Sequence, residues 1–355
     1  MTSLFETVFG APPEAVGRAH ARANLLGEHT DYNGGFVLPT PLRYETVVEV
    51  AEATGEAAGF VEAHSARFGE TRTRRAGEPA RGDWLDYVAG CLWGLAQEGY
   101  DLPPLRFAID GTVPMGAGIS SSAALEVAVL RAVRALLKLP LGDGALARLG
   151  QRAENDYVGM RCSIMDQMVA SLGTPGRALF LDTRSMTSEL VDLPAGHRIA
   201  VVHCGTAHRL TAGDYNTRQR ECEEACRLLG IASLRDLSPD DLDRTRALPD
   251  PLSRRTRHVM TENQRVLDGV RALAHRDWPG FGRLMDESHA SQRDDYEVSI
   301  PEINALVEAA KRHGALGARL TGGGFGGSIV ALVEAFRYAD WLAHVLADRP
   351  EAREI

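Results

Sequence analysis

The chain has 355 residues, 44% hydrophobic and 25% charged, the balance of an ordinary folded protein long enough for more than one core. A net charge of −9 offers no broad basic field for nucleic acid or anionic lipid, so any phosphate group has to be met by local cations and backbone dipoles. There is no run of about 18 uncharged apolar residues and no basic-then-apolar leader, and the five scattered cysteines lack a CxxC pair; these features predict a cytoplasmic protein with reduced thiols and no membrane partner.

The first polar feature lies between Leu25-Leu26 and Phe36-Val37-Leu38, where Glu28, His29, Thr30, Asp31, Tyr32 and Asn33 precede Gly34-Gly35. Asn33-Gly34 signals a tight turn, and a solvated hairpin is the plain reading. Glu28, His29 and Asp31, set between apolar segments, would also suit a polar ligand, since carboxylates accept hydrogen bonds from the vicinal hydroxyls of a sugar. Short strands are expected at 46–50, 106–109, 199–202 and 328–333, and helices at 84–98, 123–138, 215–229, 254–275, 301–313 and 335–347. The class is a mixture of α and β, with a boundary near residue 195 separating domains 1–195 and 196–355.

The segment Pro114-Met115-Gly116-Ala117-Gly118-Ile119-Ser120-Ser121-Ser122 runs directly into a helical pattern. A helix start preceded by glycines is an anion site, because unpaired N–H groups and the positive dipole end point the same way. Gly116 and Gly118 would let the backbone approach phosphate oxygens, and Ser121 or Ser122 would offer a hydroxyl to Mg²⁺. A Walker loop is excluded: Lys138 and Lys311 are the only lysines, and Lys138 lies about 24 Å along the helix from Ser122. A dinucleotide fingerprint needs glycine where Ser121 stands. Taken alone, the segment fits a serine-rich helix cap equally well.

Asp166 is surrounded in sequence by Ile164, Met165, Met168 and Val169, and burying it requires a cation; Arg22 is the candidate. So paired, Asp166 could accept the proton of an attacking hydroxyl. Glu154 could bind Mg²⁺ through oxygen, although an exposed helix position is the plainer reading of that residue. Leu320 to Gly327 holds five glycines around Phe325 before an apolar strand, which suits a close backbone approach or a simple bulge.

These segments, with AENDYVGMRCSIMDQ, DYNTRQRECEEA, RRTRHVMTEN and LMDESHASQRDDYEVSIPEINAL, resemble the galactokinase branch of the family that groups galactokinase, homoserine kinase, mevalonate kinase and phosphomevalonate kinase. The resemblance covers most of the chain. It implies an α+β, two-domain fold with an N-terminal domain of the ribosomal-protein-S5 domain 2 type, a C-terminal ferredoxin-like domain and an active site between them. It implies ATP- and Mg²⁺-dependent phosphorylation of the anomeric hydroxyl of galactose by a monomer, with Asp166 as base and Arg22 as its partner. By the same resemblance Glu28, His29, Asp31 and Tyr215 contact sugar. Pro114, Gly116, Ala117, Gly118, Ile119, Ser120, Ser121 and Ser122 cradle the phosphates, Trp84 and Tyr87 wall the adenine, and Ser122 and Glu154 ligate Mg²⁺.

Three departures from the family pattern stand out. His20-Ala21 replace the usual Pro-Gly before Arg22, and Ser163 replaces a glycine after Cys162. The usual final strand after the last helix is not evident, which predicts a sheet edge that is open or filled by a partner. Alternatives are a kinase for arabinose, N-acetylgalactosamine or a uronic acid, and a non-catalytic sugar sensor of the same fold. The complete Ser120-Ser121-Ser122-Ala123-Ala124 run, shortened in such sensors, favours the enzyme.

Overall fold

The computed structural model describes residues 2–53, 60–114, 116–206 and 212–355. Met115 of the glycine-serine loop lies outside the described residues. In chain order the strands are β1 (Ala15–Asn24), β2 (Phe36–Val37), β3 (Pro39–Glu52), β4 (Phe60–Ser65), β5 (Glu70–Arg75), β6 (Leu105–Gly111), β7 (Arg177–Asp182), β8 (Thr187–Asp192), β9 (His197–His203), β10 (Gly317–Thr321), β11 (Ser328–Glu334) and β12 (Arg353–Glu354). The helices are α1 (Leu4–Phe9), α2 (Leu85–Gln97), α3 (Ser121–Leu137), α4 (Asp143–Arg152), α5 (Met165–Leu172), α6 (Ala212–Leu229), α7 (Leu242–Arg246), α8 (Leu252–Ala274), α9 (Trp278–Asp294), α10 (Pro301–Arg312) and α11 (Tyr338–Asp348). A π-helical turn, Ala153–Val158, continues α4.

The chain packs as two compact units, each drawn from three stretches of sequence. The first comprises Met1–Arg22, Pro41–Pro114 and Ser120–Gly173; the second comprises Ala23–Thr40, Met115–Ile119 and Thr174–Ile355. The boundary expected near residue 195 therefore falls inside the second unit, between β8 and β9.

In the first unit the strand order is β1-β3-β6-β4-β5, with β3 antiparallel to β6 from Thr46↔Gly111 to Glu52↔Leu105 and β4 parallel to β6. Alternation along β3 turns Val48 and Val50 to one face, where with Phe107 they bury against Leu85, Val88 and Leu95 of α2 and Val127, Leu130 and Val133 of α3. Each such side chain contributes roughly 1.5–3 kcal/mol of burial. α3 is buried on more than one face: Ala123, Ala124, Glu126 and Ala128 are buried as well.

In the second unit β10-β11-β9-β12 form one sheet and β2-β7-β8 another. β11 is antiparallel to β9 from Ser328↔His203 to Glu334↔His197. Its core joins Val202, Ile329 and Ala331 to Val259 of α8, Leu306 of α10, and Trp341 and Val345 of α11. The open edge expected after the last helix is not found. Arg353 and Glu354 pair with His203 and Val202, the Ile355 N–H bonds the Val201 carbonyl at 2.9 Å, and Ile355 is buried. Two residues of strand are too short a run to stand out as a periodic pattern.

Candidate active site

In the first unit a carboxylate is placed by β1 and the first turn of α5. Arg22 donates from Nε to Asp166 Oδ1 at 2.7 Å and from Nη2 to Oδ2 at 2.9 Å, a bidentate pair. Ser120 Oγ donates to Asp166 Oδ2 as well. The Asp166 side chain keeps 22% of its exposure while Arg22 keeps 7%, so the carboxylate is held from the protein side and still reachable. The partner proposed for Asp166 from sequence is thus the one the fold brings to it.

Behind Asp166 lie two further acids. Glu154, on the π-helical turn, is buried, which overturns the plainer reading of it as an exposed helix residue. Burial and then the Asp166 charge raise its pKa, while hydrogen bonds from Ser122 and Cys162 draw it back. Glu126 is completely buried, and burial followed by the Glu154 charge pushes its carboxyl well above the ordinary range. Glu126 was not singled out from sequence; its spacing of four residues from Ser122 on one helix face was the available signal. Among the described residues no cluster of three His, Cys, Asp or Glu side chains could hold a metal. One carboxylate beside one hydroxyl does fit Mg²⁺, which keeps waters and takes its remaining oxygens from nucleotide phosphates.

Trp84 precedes α2 and Tyr87 lies in its first turn, one turn apart on the same side. Trp84 Nε1 donates to Glu70 Oε1 at 2.8 Å, and Phe68, absent from the sequence reading, lies nearly parallel to the indole at 6.1 Å between ring centroids. Burial first, then Glu154 and Glu126, push the Tyr87 phenol up to about 12, so Tyr87 remains neutral and faces the acidic side of the unit.

The glycine-serine loop alternates between the units: Pro114 and Ser120–Ser122 belong to the first, Gly116–Ile119 to the second. Gly116 and Gly118 have φ of +70° and +73°, which explains glycine at both, and the space beside each Cα is open. Ala117 is held through its carbonyl by Ser328 Oγ at 2.8 Å. Ser120 also adopts φ +60°, a cost of roughly 1–2 kcal/mol for a residue with a Cβ, offset by its bond to Asp166. Ser121 and Ser122 open α3, whose first N–H groups stand at the loop.

In the second unit Glu28, His29, Thr30 and Asn33 are buried, so the turn closed by Gly34 is not a solvated hairpin. Glu28 is committed to the protein: Oε2 accepts from Arg319 Nη2 at 2.7 Å and Asn24 Nδ2 at 3.1 Å, and Oε1 from the Gly322 N–H at 2.8 Å. It thereby ties the turn to the glycine-rich segment. There, Gly324 has φ +83°, and a Cβ on it would lie 2.6 Å from the Val298 carbonyl oxygen, so close backbone approach is the reason for glycine.

His29 stands at φ +62° with Nδ1 at 3.0 Å from Tyr32 Oη, and Tyr32 Oη meets Tyr296 Oη at 2.6 Å. Its Nε2, near the Gly323 backbone, makes no hydrogen bond of normal geometry among the described residues. Burial, then His258, Arg218 and Arg319, hold its pKa well below the ordinary value, so the imidazole is neutral at pH 7. Tyr215 packs on it at 5.6 Å between ring centroids. Asp31 begins the turn Asp31–Asn33 and accepts the Tyr32 N–H at 3.0 Å. Tyr296 and Arg319 were missed from sequence because both act through residues more than two hundred positions away.

Residues 86–174 match the family model described as GHMP kinases N terminal domain, and residues 270–350 match GHMP kinases C terminal. Together with the loop entering α3, these define the class as that of the GHMP kinases. Residues 3–52 match the galactokinase galactose-binding signature. A galactokinase of Chloroflexus aggregans is 42% identical, over 97% of this chain and 90% of its own length. The crystal structure of Lactococcus lactis galactokinase complexed with galactose superposes with TM-score 0.92 at 32% identity, covering 100% of this chain and 96% of that one. The Methanococcus jannaschii mevalonate kinase, at TM-score 0.71, 16% identity and 98% coverage of both chains, shares the fold. The chain belongs to the galactokinase family.

Proposed function

We propose that the chain transfers the γ-phosphoryl group of ATP to the C1 hydroxyl of α-D-galactose, giving galactose 1-phosphate and ADP, as a cytoplasmic monomer. The observation that carries the chemistry is the Asp166 carboxylate, gripped by Arg22 and Ser120 and still partly exposed. Asp166 accepts the proton of the anomeric hydroxyl as its oxygen attacks phosphorus. Glu28, His29, Asp31 and Tyr215 contact the sugar, and Glu28 also ties the turn to the glycine-rich segment. Backbone N–H groups from Gly116 to Ser122 hold the phosphates, and Trp84 and Tyr87 flank the adenine. Ser122 and Glu154 hold Mg²⁺, which when bound neutralises charge on the phosphates.

The test is ADP release by the purified protein with Mg²⁺-ATP across galactose, arabinose, N-acetylgalactosamine, galacturonate, glucose and no sugar. Release with galactose well above the rest is expected. Preference for another sugar would overturn the substrate and point to Ser163; ATP binding without release on any sugar would overturn the catalytic reading.

A further inference from the structure

Gln167 directly follows the base, is completely buried, and belongs to none of the roles assigned above. Its amide nitrogen donates to two carboxylates at once, 3.0 Å to Glu126 Oε2 and 2.9 Å to Glu154 Oε2. The two amide hydrogens serve both acids, and the same nitrogen lies 3.5 Å from Cys162 Sγ. We propose that Gln167 is a positioning residue that holds the Glu154 carboxylate in place for the nucleotide's Mg²⁺, with Glu126 as the brace on its other side. The proposal rests on the reading of Glu154 as a Mg²⁺ ligand.

The tie joins three elements at one nitrogen: α3 through Glu126, the π-helical turn through Glu154 and α5 through Gln167 itself. Beside the hydrogen bonds from Ser122 and Cys162, this tie leaves less of the Glu154 side chain to be ordered by the cation, and such ordering would weaken binding. Gln167 sits beside Asp166 in the first turn of α5, so the same helix start that presents the base also sets the metal ligand. Hydrogen-bonded partners of ligating carboxylates are worth about 10–100-fold in metal affinity.

The experiment measures Mn²⁺ binding to the protein–ADP complex by electron paramagnetic resonance, in wild type, Gln167→Met and Glu154→Ala. Gln167→Met conserves volume and removes both donors. About 10–100-fold weaker Mn²⁺ binding is expected, with ADP affinity in the presence of a chelator and the KM for galactose unchanged. Wild-type Mn²⁺ affinity in Gln167→Met, with Glu154→Ala impaired, would overturn the positioning role alone. Wild-type affinity in both would overturn the reading of Glu154 as well. Should Gln167→Met not fold, Glu126→Leu removes the brace by replacing a buried acid with an apolar side chain: weakened Mn²⁺ binding supports the tie, and unchanged binding overturns it.

Discussion

Arg22 and Asp166, 144 residues apart in sequence, meet through two nearly parallel N–H···O bonds, from Nε at 2.7 Å and Nη2 at 2.9 Å. The fork determines the plane of the carboxylate as well as its position, which a single lysine ammonium cannot do. Asp166→Asn should lower kcat by about 10²- to 10⁴-fold while nucleotide binding stays near wild type. Arg22→Lys should also lower kcat, because one point charge leaves the carboxylate free to rotate. Steady-state kinetics with a nucleotide-binding titration check both, and near-normal turnover in Asp166→Asn would remove it from the mechanism.

The second buried pair, Glu28 with Arg319, is a matter of stability. Both side chains are almost wholly excluded from water and 2.7 Å apart. Arg319→Met leaves a buried carboxylate without its cation, met by neutral donors such as Asn24 and the Gly322 N–H, and a loss of about 3–5 kcal/mol is expected. Urea denaturation measures it; a loss under about 1 kcal/mol would show that the carboxylate finds water or is adequately met by its neutral donors.

Acid should destabilise the fold through buried histidines. Burial, ahead of the Arg319 and Arg293 charges, lowers the His289 pKa to about 4, against about 6.5 for an unfolded histidine. Between those values the unfolded chain binds a proton that the folded chain refuses. The stability present above pH 6.5 is therefore lost as pH falls through the window. Glu126 and Glu154, raised by burial, contribute in the opposite sense, so the readout is a difference between proteins. From about pH 7 to about pH 5, wild type should lose more unfolding free energy than His289→Gln. Equal losses in the two proteins would exclude His289 as a source.

The last strand predicts a truncation phenotype. Ending the chain after Ala352 removes the β12 pairing with His203 and Val202 and uncovers the edge of β9. Lower thermal stability and concentration-dependent association are expected, followed by melting curves and light scattering. A truncated protein that melts like wild type and stays monodisperse would show that the β9 edge is protected without β12.

Much of the fold was legible in sequence. The strands around residues 48, 107, 200 and 330 and the helices that became α2, α3, α6, α8, α10 and α11 announce themselves through period-two or helical spacing of apolar residues. α4, α5 and α9 escaped because they are short or carry small and polar residues where a stripe would show. β1, β2, β4, β5, β7, β8 and β10 were not read either, and β2 and β12 escaped because two residues carry no period.

The motifs of this chain, read together with the family resemblance they carry, pointed to the reaction class. Gly116, Gly118 and Ser120–Ser122 before a helix, and an acid among apolar residues at 166, are chemical requirements expressed within a few positions of one another. Arg22 could be named for Asp166 from sequence, but tertiary structure alone decided that Arg319 answers Glu28 and that one amide of Gln167 serves both Glu126 and Glu154. The reason is physical. Burial sets the cost of a charge, and the groups that offset that cost are brought close by packing, over separations at which sequence spacing carries no information.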